Sequence, residues 1–132
     1  SEMCIRDRHI RREKATSNIC SNQSLMALYA TIYIALMGNE GLREVNRLSC
    51  DGAHLLCDRL VKSGKFSLAF DKPFLKEFTL RTDLDMDKVN ARLAANGIMG
   101  GVVTGPGLVT FAVTEKRTRE EIDSLITLML ED

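Results

Sequence analysis

From Phe66 onward the apolar residues stop recurring every third or fourth position and begin to alternate, and this switch of period limits the folds open to the chain. FSLAF (Phe66 to Phe70) and FLKEFTLR (Phe74 to Arg81) alternate on either side of Asp71-Lys72-Pro73, which predicts two strands paired as a hairpin. Ile98 to Thr104 and Leu108 to Thr114 do the same around Gly105-Pro106-Gly107. Between the two pairs, Asp85 is placed to cap a helix running to about Asn96. Leu84 and Val89 stand in staple register around that cap, and Gly97 ends the helix. Thr118 with Glu121 spells a capping box for a last helix carrying Ile122, Leu125, Ile126 and Met129.

Before the switch the spacing is helical. Leu25 to Met37 (LMALYATIYIALM) is apolar or small on all sides and ends at Gly38, which predicts a helix wrapped by other structure. It is shorter than the roughly 20 residues a bilayer span requires and carries Thr31 and two tyrosines, so it reads as a buried helix and not as a membrane span. A second helix, about Glu40 to Lys62, places Leu42, Val45, Leu48, Leu55, Leu56 and Leu60 on one stripe and ends at Gly64. Gly52 inside it costs about 1 kcal/mol relative to Ala. The order α, α, β, β, α, β, β, α over residues 24–132 defines an α+β domain, a mostly antiparallel sheet with helices packed on it.

Composition narrows the function classes. With 18 basic and 18 acidic residues the net charge is zero, which argues against nucleic-acid or membrane binding driven by electrostatics. A chain of 132 residues, 45% hydrophobic, closes one core and not two. Cys4, Cys20, Cys50 and Cys57 follow no disulfide framework. Cys50 and Cys57 would stand about 10 Å apart along a helix at ~1.5 Å per residue, so they are expected to be reduced thiols in a cytoplasmic protein. Ser1 to Arg8 (SEMCIRDR) has no period and resembles the translation of a sequencing adapter. It is expected to be non-native, with the natural N-terminal part missing and residues 9–23 forming a polar connector.

Each candidate site has an ordinary reading beside the functional one. Arg11, Arg12 and Lys14 could hold an anion in a fork, or simply be a solvated charge run. Lys14 as a Schiff-base lysine would need a desolvated amine, which its neighbours Arg12 and Glu13 oppose. Cys50, His54, Cys57 and Asp58 share a helix face, yet no second Cys/His pair follows at zinc spacing, so no metal is expected. Gly97, Gly100 and Gly101 end a helix and enter a strand, the reverse of a phosphate cradle, and read as a cap and a close backbone approach. Arg117, in the polar turn Thr114 to Thr118, could bind a carboxylate or be an exposed turn residue. With only His9 and His54 present, no catalytic constellation is visible.

HIRREKATSNICSNQSL (His9 to Leu25), GNEGLREVNRLSCDGAHLLCDRL, DKPFLKEFTL, NGIMGG and VTEKRTREEID resemble, in order and spacing, the P-protein of the glycine cleavage system, glycine dehydrogenase (decarboxylating). The REKATSNIC form is similar to the alpha type of the two-subunit enzymes, or to the N-terminal half of the single-chain ones, and the chain's end soon after RTREEID favours the former. The resemblance implies the small C-terminal α+β domain of a type I pyridoxal-phosphate-dependent transferase fold. It further implies an oxidoreductase acting on CH–NH2 with a disulfide acceptor. In the family the complex decarboxylates glycine on pyridoxal phosphate and passes the aminomethyl group to the lipoyl arm of the H-protein. The cofactor lysine belongs to the beta subunit, so this chain is expected to hold no cofactor covalently and to be inactive alone. The implied partners are the P-protein beta subunit, in an assembly of two alpha and two beta subunits, and lipoylated H-protein.

The matching positions expected to face the subunit interface or cleft are Arg11, Arg12, Glu13, Lys14, Thr16, Ser17, Asn18 and Gln23, together with Arg117. Two departures stand out: the segment between Met99 and Thr110 is shorter than is usual in the family, and Gly52 replaces an expected helix former. The rival reading is a stand-alone α+β ligand-binding or dimerisation module. It would require a first helix that is not hydrophobic all round.

Overall fold

Gly38 divides the chain. The structure, a computed structural model, describes residues 23–131, and they fall into one unit ending at Gly38 and a second beginning at Asn39. Helix α1 (Gln23–Lys62) is helical on both sides of Gly38, whose φ of 62° and ψ of −176° are not. Glycine takes a positive φ without the steric cost a Cβ would bring. The predicted stop is therefore a break inside one helical run, since helical geometry resumes at residue 39.

In the first unit, segment 23–37 carries no charged residue, and its large apolar side chains are exposed, Leu36 at 81% and Tyr29 at 69%. The expected burial is not met, because this unit contains no other element among the described residues that could enclose the helix. By length and composition alone α1 could cross a membrane. Its apolar part nevertheless stops at Gly38, where Asn39, Glu40, Arg43 and Glu44 follow.

The second unit is the α+β layer. Strands β1 (Phe66–Leu68), β2 (Glu77–Thr82), β3 (Val102–Gly105) and β4 (Leu108–Ala112) form a sheet of order β1-β2-β4-β3, every pair antiparallel. Phe66 faces Thr82, and Phe78 faces Phe111. A bulge between Val103 and Gly105 shifts the β3–β4 register. Alternation assigns the faces: Phe78, Leu80, Val109 and Phe111 enter the core, whereas the Thr79 and Thr110 hydroxyls, partners across the ladder, hydrogen-bond at 2.9 Å. Residues 39–62 of α1, helix α2 (Met86–Ala95) and helix α3 (Arg119–Leu130) supply the other half of the core, with Leu56, Leu60, Leu80, Leu93, Val109 and Met129 its largest fully buried side chains.

The leucine stripe expected on α1 is rotated. Ser49, Ala53, Leu56, Cys57 and Leu60 are buried, Leu48 is exposed, and Leu42, Val45 and Leu55 are half-buried. The reason is the spacing between layers: a Cβ on Gly52 would lie 2.9 Å from Val113 Cγ1 and 3.5 Å from Ile122 Cδ1, so α1 meets Val113, just past β4, and α3 at a position without a side chain.

All four strands begin later or end sooner than their alternation suggests, and β4, read to Thr114, ends at Ala112. Phe74 does not start β2, because its ring stacks on His54 at a centroid distance of 4.2 Å and its carbonyl accepts from His54 Nε2 at 3.1 Å. Pro73 has no N–H for a ladder, and β1 ends at Leu68 with only Ala69 N–H still reaching Thr79 O, at 3.2 Å. Residues 98–101 do not join β3. Ile98 N–H bonds back to Leu93 O at 2.9 Å and Gly97 N–H to Ala94 O at 3.0 Å, the paired bonds of a Schellman cap. A Cβ on Gly101 would stand 2.5 Å from Val109 Cγ2 and 2.7 Å from Phe111 Cε1, so the chain passes flat against the core there.

The caps themselves form as spelled. Asp85 accepts from Lys88 N–H, and Thr118 and Glu121 close a full capping box. Cations complement the far end of α3, where Lys65 Nζ donates to Leu130 O at 3.2 Å and Arg92 Nη2 to Met129 O at 3.3 Å.

Gly52→Ala tests the layer spacing. Helix propensity favours alanine by about 1 kcal/mol, but the β-branched, buried Val113 cannot swing clear, so thermal melts should show a lower Tm. A higher Tm would show that the contact yields.

Candidate functional site

Of the residues singled out as interface or cleft positions, Arg11, Arg12, Glu13, Lys14, Thr16, Ser17 and Asn18 lie outside the described residues. Gln23 opens α1 and is exposed. Arg117 stands in the second unit, on the rim of an open groove of about 590 Å³. The Schellman cap and its following loop, Gly97 to Gly100, make one wall of this groove, the end of β4 and Val113 its base, and the first turns of α3 the other wall.

The base is apolar, from Leu56, Phe111, Val113 and Ile122, and the rim adds Ile98, Met99 and Leu125. Met99 is 95% exposed, the most solvated large apolar side chain of this unit. The polar wall is already engaged within α3. Arg117 Nη1 lies 3.6 Å from Glu121 Oε1, Glu121 Oε2 accepts from Thr118 N–H at 2.9 Å, and Ser124 Oγ donates to Glu120 O at 2.9 Å. This arrangement can seat an apolar side chain beside one guanidinium. Among the lining residues no nucleophile is set against a base.

The Cys50, His54, Cys57 and Asp58 face is divided among different tasks. His54 clasps Phe74 as described, and the aromatic series continues to Phe78 at 5.1 Å and on to Phe111 at 5.6 Å, tying α1 to the two central strands. Each such ring pair adds about 0.5–1.5 kcal/mol beyond its buried area. Cys57 is buried and free, Cys50 half-buried and free. Burial pushes the Cys57 thiol up, and the neighbouring Asp58 charge adds to it. Among the described residues no group of three or more His, Cys, Asp or Glu side chains is placed to hold a metal. The His54–Phe74 clasp was not visible in the pattern, since the two residues lie 20 positions apart and only the fold brings them together.

An antiparallel four-stranded sheet carrying three helices in this order is the small α+β domain of the type I pyridoxal-phosphate-dependent fold. Two solved structures share it. One is the glycine decarboxylase (P-protein) of the glycine cleavage system in inhibitor-bound form, with a TM-score of 0.77, 38% identity, and 92% of this chain matched to 29% of that one. The other is a phosphoserine aminotransferase from Cytophaga hutchinsonii, with a TM-score of 0.64 over 89% of this chain and 34% of that one. At 16% identity it reports on the fold alone. Residues 2–129 match the sequence profile of the glycine cleavage system P-protein, and the chain belongs to that family. Probable glycine dehydrogenase (decarboxylating) subunit 1 of Moorella thermoacetica is 49% identical over 130 residues, which cover 94% of this chain and 29% of that protein. The chain thus spans about 30% of the length of the curated relatives it matches.

Two measurements check the site chemistry. Arg117→Ala should change the unfolding free energy by less than about 0.5 kcal/mol, because an exposed ion pair contributes little, and a larger loss in denaturant titration would make this rim a structural brace. The raised Cys57 thiol loses stability as pH rises through the ordinary thiol range near ~8.5, since only the unfolded chain ionises freely there. A Cys57→Ala variant should show a flatter stability profile above that pH, and an unchanged slope would refute the assignment.

Proposed function

We propose that this chain is the C-terminal part of the alpha subunit, subunit 1, of glycine dehydrogenase (decarboxylating), and that it works only inside the complete P-protein. The observation that carries the reading is the match of residues 2–129 to the P-protein family over a fold shared with a solved glycine decarboxylase. In that assembly a beta subunit completes the enzyme, glycine is decarboxylated on pyridoxal phosphate, and the aminomethyl group passes to the lipoyl arm of the H-protein. The assembly has two alpha and two beta subunits and is cytoplasmic, a setting that suits the free thiols of Cys50 and Cys57.

Pyridoxal phosphate, when bound, supplies the electron sink for this carbanion chemistry. The described residues do not fit it as a cradle. Lys62, Lys72, Lys76, Lys88 and Lys116 are exposed, whereas a Schiff-base lysine has to be desolvated, and Lys65 donates to the carbonyl end of α3. Gly97 closes a helix cap, while Gly100 and Gly101 press against Leu93, Val109 and Phe111, leaving no backbone nest for a phosphate. The contribution of this part of the chain is to pack, to orient and to exclude water. Its subunit-interface or cleft residues are Arg11, Arg12, Glu13, Lys14, Thr16, Ser17, Asn18, Gln23 and Arg117.

The chain alone, given glycine, pyridoxal phosphate and lipoylated H-protein, should release no CO2 above the protein-free control. Full-length subunit 1 joined with its beta subunit should release it steadily. Sustained glycine-dependent release from the chain alone would refute the proposal.

A further inference from the structure

Asn96-Gly97 is the one Asn-Gly pair in the sequence, and the fold sets it at the open end of α2. A glycine after asparagine leaves its main-chain nitrogen open to the side-chain amide carbon, because no Cβ stands in the way. Asn39, Asn46 and Asn90 are each followed by a residue with a side chain and lie within helices. Asn96 and Gly97 are both exposed, and nothing lies within 4 Å of where a Cβ on Gly97 would stand.

Four hydrogen bonds hold the pair closed. Asn96 N–H donates to Leu93 O at 3.0 Å, Gly97 N–H to Ala94 O at 3.0 Å and Ile98 N–H to Leu93 O at 2.9 Å. Asn96 Nδ2 donates to Arg92 O at 3.0 Å, which turns the side chain back along the helix and away from the Gly97 nitrogen. All four bonds belong to the final turn of α2, and helix ends fray at far lower cost than a core unfolds.

From these observations we infer that Asn96 is a site of spontaneous deamidation, admitted by opening of the last turn of α2 without unfolding of the domain. Once the turn opens, the Gly97 nitrogen gives up its proton and attacks Asn96 Cγ. The new N–C bond closes a cyclic imide as the Cγ–Nδ2 bond breaks, and the side-chain nitrogen takes up the proton and leaves as ammonia. Water then opens the imide, yielding aspartate where the N–Cγ bond breaks and isoaspartate where the bond to the main-chain carbonyl breaks.

The product does not restore the cap. A carboxylate cannot donate to Arg92 O, and its charge sits at the negative end of the helix. Isoaspartate also adds a methylene to the main chain, so the Gly97 and Ile98 amides lose register with Ala94 and Leu93. Ile98 and Met99 line the groove, and the modification therefore loosens that wall.

The test uses the full-length subunit carrying this sequence, aged at mildly alkaline pH beside the same protein unfolded in guanidinium chloride. Peptide mapping by mass spectrometry separates asparagine, aspartate and isoaspartate at position 96 over time. Conversion in the folded subunit about 5- to 100-fold slower than in the unfolded chain supports the inference, since the final turn opens far more often than the domain. Conversion outside that range in either direction, or none, overturns it, as does equal conversion at Asn39, Asn46 or Asn90 in the folded subunit. Asn96→Gln, whose longer side chain closes the imide far more slowly, should suppress the signal, and a persisting mass gain would place the site elsewhere. In Asn96→Asp, hydrogen exchange at the Gly97 and Ile98 amides should quicken by at least about fivefold; unchanged exchange would refute the loss of the cap. None of these readouts depends on glycine decarboxylation, so this inference and the functional reading fail separately.

Discussion

The close approach of α1 to the sheet at Gly52 is the constraint on which the rest of the second unit depends. A Cβ there would stand within 2.9 Å of Val113, so the absence of one lets the buried side of α1 settle onto β4 and α3. That spacing turns Ala53, Leu56, Cys57 and Leu60 inward and lets Leu56 and Leu60 share one interior with Leu80, Val109 and Met129. Gly101 performs the same service on the far side, bringing the segment before β3 against Val109 and Phe111. Two backbone positions without side chains thus set the thickness of the layer, and native packing density leaves little latitude around them.

The groove is a consequence of the same geometry. The Schellman cap of α2 uses Gly97 and Ile98 to finish the helix, which carries Met99 outward instead of into a strand. The capping box of α3 holds Glu121 in place, and Arg117 leans on that carboxylate. The groove is therefore framed by two helix ends whose own hydrogen bonds are satisfied. Its polar wall is thus already engaged within the domain.

How much of this could be read from the residues depended on the range of the interaction. Local grammar was legible: Asp85, Gly97, Thr118 and Glu121 occupy the cap positions their identities imply, and the hairpin pairing and α+β class follow from alternation around Pro73 and Pro106. Gly52 looked like a fault in a helix, because nothing local reveals that Val113 will arrive opposite it. The leucine stripe misled for a related reason, since periodicity reports which side is apolar and not how near the sheet will come. Phe74 alternates like a strand residue, yet its contact with His54 decides where the strand begins. Of the residues singled out in the sequence, Gly97, Gly100 and Arg117 come to line one groove. Met99, Ile98 and Leu125 become a groove through tertiary placement.

The central claim is that this chain is a functional piece of a P-protein alpha subunit, and a graft tests it most directly. Residues 23–131 replace the corresponding segment of subunit 1 from Moorella thermoacetica, the 49% identical relative, and glycine decarboxylation is measured with that subunit's own beta partner and H-protein. The account predicts a folded hybrid with a rate within about tenfold of the parent enzyme. A hybrid that melts like the parent and joins its partner, yet releases no CO2 from glycine, would contradict it.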